Sequence, residues 1–199
     1  YRRFLENLRI VADALKGLDY VFIKLLKPVT YVPSDIDVLI VRKDVSKAIH
    51  RLRDRGFRIE VDEPYCTTLV HRDAIIDLYV YPTLGGMIYL DAEKLMEYRT
   101  FREFNGIGIP NLESHAEALI VIAHAIYKER IYTLNDYVTV RSWFSRRTIR
   151  LAEELNCLDA IKEANATHHL VEEHGLVLPY RIPFTRWLRL LEHKILYDR

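Results

Sequence analysis

The sequence predicts an α+β fold, in which a sheet flanked by helices is followed by a C-terminal helical bundle. Apolar residues recur at helical spacing over residues 4–15, and again from residue 112 to the end of the chain. Between them, residues 20–81 contain short apolar runs bounded by Pro and Gly, which are typical of strands. A strand-rich part followed by a helix-rich part is the pattern of an α+β protein.

The change from strands to helices sets a predicted domain boundary. Pro82, Gly85 and Gly86 interrupt the strand pattern, and such residues punctuate regular structure. We therefore expect an α/β domain over residues 1–86 and a mainly helical domain over residues 87–199.

The first part is predicted to hold two helices and five strands. The first helix ends at Gly17, and the second is capped by Asp44 and ends at Gly56. A hairpin turn is expected at Arg72 and Asp73. The expected strands are residues 20–26, 35–41, 57–61, 67–71 and 74–81.

The second part is predicted to be helical after an irregular start. A short helix is expected over residues 92–98, followed by irregular chain through Gly106, Gly108 and Pro110. Gly175 is expected to end one of the later helices. These helices are predicted over residues 112–127, 134–144, 146–155, 158–173 and 184–197.

Composition excludes several classes of protein. The 29 Lys and Arg residues balance 28 Asp and Glu residues, which argues against a broad basic surface for duplex nucleic acid. No apolar run reaches the roughly 20 residues that cross a bilayer, so no membrane association is expected. Cys66 and Cys157 are too few and too far apart for a disulfide scaffold or a zinc site, which fits a cytoplasmic protein.

Three aspartates form the candidate catalytic and metal-binding site. Asp35 and Asp37 are two residues apart in one predicted strand, so their side chains leave it on the same face. Asp77 interrupts the apolar run of another strand, a position that core packing does not explain. If the two strands are neighbours, the three carboxylates converge on one point.

Converging carboxylates suit phosphoryl transfer assisted by Mg²⁺. Oxygen ligands are those that Mg²⁺ prefers, and two ions about 4 Å apart stabilise an in-line displacement. Asp77, nearer the acceptor, is expected to help orient or deprotonate its hydroxyl. The alternative is that Asp35 and Asp37 are only a turn or cap feature at the start of a strand.

The run Ser34-Asp35-Ile36-Asp37-Val38-Leu39-Ile40, followed by Ile75-Ile76-Asp77-Leu78, resembles the signature of the DNA polymerase beta-like nucleotidyltransferase superfamily. The order of segments is similar to a poorly characterised group with a nucleotidyltransferase core and a helical C-terminal half. The resemblance implies a nucleotidyltransferase-like mixed sheet, Mg²⁺ (or Mn²⁺), and a nucleoside triphosphate such as ATP as donor. It also implies transfer of a nucleoside monophosphate to an acceptor of one of three classes: a small molecule, a protein or an RNA.

The sequence departs from this superfamily before the acid pair. Members usually carry Gly-Ser or Gly-Gly about a dozen residues upstream, opening a helix that cradles the triphosphate, whereas residues 22–27 here read Phe-Ile-Lys-Leu-Leu-Lys. Lys24 and Lys27 either replace the cradle as point charges or are surface lysines beside a strand, and the second interpretation is favoured. The resemblance also makes Ser34 a candidate nucleotide-binding residue.

A basic cluster in the second part supplies further nucleotide-binding candidates. Arg146 and Arg150 share a predicted helix face near Trp143 and Phe144, an arrangement that suits a triphosphate or a stacked nucleic-acid strand. The competing interpretation is a solvated face with ordinary salt bridges, which is the commoner situation.

Three functions remain open at this point. The first is a magnesium-dependent nucleotidyltransferase that acts on an unidentified acceptor. The second is a catalytically degenerate member that binds a nucleotide or a protein partner, which the missing Gly-Ser favours. The third is a small structural or interaction protein in which the cluster of aspartates is accidental. The sequence does not indicate the oligomeric state or the preferred base.

Overall fold

The computed structural model describes residues 1–197, and in them it shows the predicted α+β fold. The helices are α1 Arg2–Leu15, α2 Val45–Arg53, α3 Ala92–Met96, α4 Ser114–Ala123, α5 Leu134–Trp143, α6 Arg146–Glu154, α7 Leu158–His174 and α8 Phe184–Tyr197. The strands are β1 Tyr20–Phe22, β2 Ile36–Ile40, β3 Arg58–Glu63, β4 Cys66–His71, β5 Ala74–Tyr79, β6 Thr83–Leu84, β7 Met87–Ile88, β8 Arg99–Phe104, β9 Ile107–Leu112, β10 Ile131–Tyr132 and β11 Tyr180–Arg181.

The chain forms two compact units. Among the described residues, the first unit contains residues 1–26, 30–82 and 92–113, and the second contains residues 27–29, 83–91 and 114–197. Each unit has its own buried apolar residues.

A seven-stranded mixed sheet is the centre of the first unit. Its strand order is β3-β4-β5-β2-β1-β9-β8. The central pair, β2 and β5, runs parallel, whereas β1 pairs with β2 in the antiparallel sense. Because β2 and β5 are neighbours, the two acid-bearing strands lie side by side, which is the condition that the sequence analysis set for a site.

The helices α1 and α2 cover one face of this sheet. Their apolar residues pack with the even-numbered residues of β2 and β5 in one core, and the odd-numbered residues of these strands project from the other face. The members of this core include Leu8, Val11, Leu15, Ala48, Leu52, Ile36, Val38, Ile40, Ile76 and Leu78. Alternation along β2 and β5 therefore places their aspartates on the face opposite α1 and α2.

The second unit is mainly helical. Helix α4 contacts α5, α6 and α7 and continues into a π-helical segment, His124–Glu129. This segment contacts α8 and ends at Arg130, which has a left-handed backbone. Gly175 ends α7 with φ +63°, as predicted. Strands β10 and β11, which were not predicted, form a two-stranded ribbon in the same unit.

The prediction of an irregular stretch after α3 was wrong. Strands β8 and β9 form an antiparallel hairpin there, and β9 joins the main sheet through β1. The division into domains at residue 86 remains a prediction. The compact units differ from it over residues 92–113, because this hairpin completes the sheet of the first unit.

Two local predictions were also wrong. The strand expected over residues 20–26 stops at Phe22, because Lys24 adopts a left-handed backbone with φ +56°. Asp44 precedes α2 but makes no capping hydrogen bond with it. Its Oδ2 instead accepts a hydrogen bond of 2.9 Å from the backbone N–H of Asp19.

No helix within residues 1–197 has the length and apolar character required to traverse a bilayer.

Candidate active site

The three predicted aspartates come together in the first unit. Asp37 on β2 is the direct register partner of Asp77 on β5, and Asp35 lies two residues before Asp37 on the same face. One carboxylate oxygen from each lies within 4.8 Å of the other two. This is the geometry that the sequence analysis predicted, and the catalytic and metal-binding roles of the three residues remain predictions.

Asp77 is held by two hydroxyl groups. The Thr68 hydroxyl donates a hydrogen bond of 2.5 Å to Oδ1, and the Tyr79 hydroxyl donates one of 3.1 Å to Oδ2. Thr68 is the register partner of Asp77 on β4, so strand pairing places its hydroxyl beside the carboxylate. These two hydrogen bonds fix the orientation of the Asp77 carboxylate. Tyr79 lies two residues after Asp77 on β5, so the two side chains leave the strand on the same face.

Lys24 places its ammonium group among the three carboxylates. Its Nζ lies 3.0 Å from Asp37 Oδ2, and the two side chains are only 13% and 8% exposed. Burial lowers the pKa of Lys24, but the attraction of Asp37, Asp35 and Asp77 outweighs it, so the pKa is raised above its ordinary value. Lys24 is therefore not the surface lysine that the sequence analysis favoured.

The segment after β1 is a loop and contains no helix. Residues 23–35 have no regular secondary structure. The Tyr31 hydroxyl donates hydrogen bonds to the backbone carbonyls of Lys24 and Leu25, which ties the loop to its own beginning. A helix N-terminus, the usual anion-binding element, is therefore absent from these described residues. The missing Gly-Ser or Gly-Gly in the sequence is thus accompanied by the absence of a helix over residues 23–35.

The other nucleotide-binding candidates have separate surroundings. The Ser34 hydroxyl donates a hydrogen bond of 3.0 Å to Asp35 Oδ1, so Ser34 contacts the acid cluster. Lys27 belongs to the second unit, where its Nζ lies 3.5 Å from Asp136 Oδ1. It is 10% exposed at the side chain, so the interpretation as a surface residue was wrong for it too. Binding of a nucleotide by Ser34, Lys24 or Lys27 remains a prediction.

The arginine candidates lie on α6 in the second unit. Arg146 and Arg150 are one helical turn apart and exposed, in agreement with a shared face. Arg141, on the preceding helix α5, contacts Glu172 and Tyr137. A nucleotide-binding role for Arg146 and Arg150 remains a prediction.

The donor set fits a divalent cation. Three carboxylates offer only oxygen atoms, and oxygen is the ligand that Mg²⁺ prefers. Burial of Asp37 makes its negative charge costly unless cations balance it. Asp35, Asp37 and Asp77 are thus the residues that would hold the ion.

Comparison with solved structures identifies the fold. The lincosamide antibiotic adenylyltransferase LnuA, in a lincomycin-bound crystal structure, is similar over 72% of this chain and 96% of its own, with a TM-score of 0.50 and 18% identity. The antibiotic-resistance factor ANT(2'')-Ia, in a solution structure, is similar over 87% of this chain and 97% of its own, with a TM-score of 0.54 and 13% identity.

Sequence comparisons find no relatives, since no protein-family model and no curated protein matches the chain. The likeness to solved structures therefore establishes the fold alone. This chain has the nucleotidyltransferase fold, in agreement with the predicted resemblance to the DNA polymerase beta-like superfamily.

Proposed function

We propose that this protein is a nucleotidyltransferase that uses Mg²⁺ to transfer a nucleoside monophosphate from a nucleoside triphosphate to an acceptor hydroxyl. The observation that carries the proposal is the convergence of Asp35, Asp37 and Asp77 within 4.8 Å, on the same fold as an adenylyltransferase. Mn²⁺ is expected to replace Mg²⁺, because both accept carboxylate oxygens. The proposal places the protein in the cytoplasm, where nucleoside triphosphates and Mg²⁺ are available.

The proposed reaction is an in-line displacement at the α-phosphorus. The acceptor oxygen forms a bond to this phosphorus, the bond to the bridging oxygen breaks, and pyrophosphate leaves with the bonding electron pair. The acceptor proton passes to a base, for which Asp77 is the candidate because Thr68 and Tyr79 hold its carboxylate in place. A bound Mg²⁺ supplies charge stabilisation for the phosphoryl oxygens.

A small acceptor is favoured over a protein or an RNA. The two antibiotic-linked neighbours make a small molecule that carries hydroxyl groups the first class of acceptor to test.

A second candidate function is nucleotide binding without transfer. It is favoured by the loop over residues 23–35, which lacks the helix that cradles a triphosphate in the superfamily, and by Lys24 among the carboxylates. Such a protein would bind a nucleotide or a protein partner and release no pyrophosphate.

Pyrophosphate release tests the transferase function. We expect release from at least one nucleoside triphosphate with Mg²⁺ and an acceptor panel of lincomycin, other small molecules with hydroxyl groups, a protein and an RNA end. Asp37→Asn should lower kcat by about a thousandfold, since metal catalysis supplies several kcal/mol. Asp73→Asn is the matched control, because Asp73 lies in the β4–β5 turn and its nearest cation is Arg3, 3.5 Å away.

The results separate the two candidates. Micromolar nucleotide binding without pyrophosphate release from any acceptor supports the second function. Absence of nucleotide binding contradicts the transferase function and leaves only the binding of a protein partner.

A further inference from the structure

The cation that the three carboxylates already hold is the side chain of Lys24. The contact of 3.0 Å joins Lys24 Nζ to Asp37, and the lysine also interacts electrostatically with Asp35 and Asp77. All four residues belong to the first unit, on strands β2 and β5 and in the loop that follows β1.

Lys24 reaches this position with an unfavourable backbone conformation. Its φ of +56° is left-handed, a conformation that is unfavourable for residues other than glycine. Such outliers persist where the surroundings hold them, often at functional sites. Here the Tyr31 hydroxyl binds the Lys24 carbonyl, and the Lys24 ammonium lies 5.8 Å from the centre of the Tyr79 ring.

Charge balance then limits the number of metal ions. Three carboxylates carry three negative charges, and the Lys24 ammonium neutralises one of them. The two negative charges that remain match one divalent cation. A second divalent cation would bring the net charge of the cluster to +2, against +1 when residue 24 is neutral, so the Lys24 ammonium disfavours the second ion.

The hydrogen bonds that the carboxylates accept also favour a single ion. Protein groups already donate to Asp35 Oδ1, Asp37 Oδ2 and both oxygens of Asp77. Two ions side by side require carboxylates that bridge them. Each donor on an oxygen occupies one of the two lone pairs that bridging would use.

We propose that Lys24 replaces one of the two divalent cations, so that the carboxylates of this centre bind a single ion. This inference rests on the proposed function, because it takes Asp35, Asp37 and Asp77 as the metal ligands. In this proposal Lys24 supplies a fixed positive charge beside the three carboxylates.

Counting bound Mn²⁺ tests the proposal without any need for activity. The free Mn²⁺ signal in electron paramagnetic resonance is followed as the full chain is titrated with Mn²⁺ and no nucleotide. We expect one ion per parent chain and one per Lys24→Arg chain. Lys24→Met should bind two ions, the first about tenfold more tightly or better, because a neighbouring positive charge is gone.

Two further variants control for folding and for the loss of a buried lysine. Lys24→Gly also removes the charge but fits the left-handed backbone, so it should fold and bind two ions. Lys27→Met removes a similarly buried lysine that pairs with Asp136, and it should still bind one ion. Thermal melting of each variant shows that it is folded.

The outcomes distinguish this inference from the proposed function. Two ions on the parent chain, or one on both Lys24→Met and Lys24→Gly, overturn the inference and leave the transferase proposal intact. No ion on any variant overturns both. One ion on the parent chain, without pyrophosphate release, contradicts only the proposed transferase activity.

Discussion

At the scale of single residues, the alternation of side chains along strands made the three aspartates predictable from sequence. The position of Lys24 among them was not predictable, because it depends on an unusual backbone conformation. Asp35 and Asp37 share a face because they are two residues apart, and Asp77 stood out in an apolar strand. Lys24 was not assigned to the site because its direction depends on a left-handed backbone that no local pattern indicated. The available signal was a lysine between Ile23 and Leu25, since a charge in an apolar run needs a partner.

The hydroxyl of Thr68 is expected to support metal binding through Asp77. Thr68→Val keeps the shape of the side chain but removes the hydrogen bond of 2.5 Å to Oδ1. Loss of such an outer partner lowers metal affinity about 10- to 100-fold in other sites, and we expect a tenfold weaker affinity for Mn²⁺ here. The measurement is a Mn²⁺ titration.

The neighbouring threonine supplies the control. Thr67 donates its hydroxyl to Asp62 at 2.9 Å and is the register partner of Leu78, so it lies on the other face of β4. Thr67→Val should leave Mn²⁺ affinity unchanged. Equal affinity in Thr68→Val and the parent would show that the hydroxyl does not support the site.

At the scale of elements, helices were predicted well and the last hairpin of the sheet was missed. Helical periodicity extends over many residues, so α5 to α8 agree with prediction to within one residue or so. The β8–β9 hairpin was taken as irregular because Gly106, Gly108 and Pro110 weaken a strand pattern. The missed signal was Asn105-Gly106, since both residues have positive φ, as a tight two-residue hairpin turn requires.

The turn between β8 and β9 yields a stability prediction. Gly106 has φ +75°, and a Cβ built there would meet no atom within 4 Å. Gly106→Ala should therefore lower the free energy of unfolding by about 1 kcal/mol through backbone conformation alone. Denaturant unfolding measures the change. Asn105→Gly, which relaxes a residue at φ +51°, should be neutral or stabilising.

Reversed signs for these two variants would contradict the assignment of the turn. A loss for Asn105→Gly as large as that for Gly106→Ala would show that side-chain contacts, such as the one from Asn105 to Tyr1, stabilise the turn more than its dihedral angles do.

At the scale of the whole molecule, the predicted order of a sheet followed by helices is present, but the chain does not divide at one point. Residues 92–113 return to the first unit after residues 83–91 have entered the second. A boundary placed by local composition misses such a return, because strand pairing over a long sequence separation decides it. Any ligand that binds only the folded chain must nevertheless raise its stability.

Thermal melting with nucleotide and metal applies this rule. A nucleoside triphosphate at about 100 times its Kd, with Mg²⁺, should stabilise the protein by about 2.7 kcal/mol. For a chain of this length that corresponds to a rise in Tm of roughly 5–10 °C. Asp37→Asn should lose the increase that Mg²⁺ adds. The same rise with and without Mg²⁺ would argue against a metal centre.

The parallel register of β2 and β5 has a consequence for how the chain tolerates insertions. Asp37 lies beside Asp77 because the parallel register pairs Ile36 with Ile76 and each aspartate follows directly, although the two acids are 40 positions apart along the chain. One residue added inside either strand would turn its aspartate toward α1 and α2 and disperse the cluster. A longer loop outside the two strands leaves the register of both aspartates unchanged. Relatives that keep the site are therefore expected to vary in their loops and to conserve the lengths of these two strands.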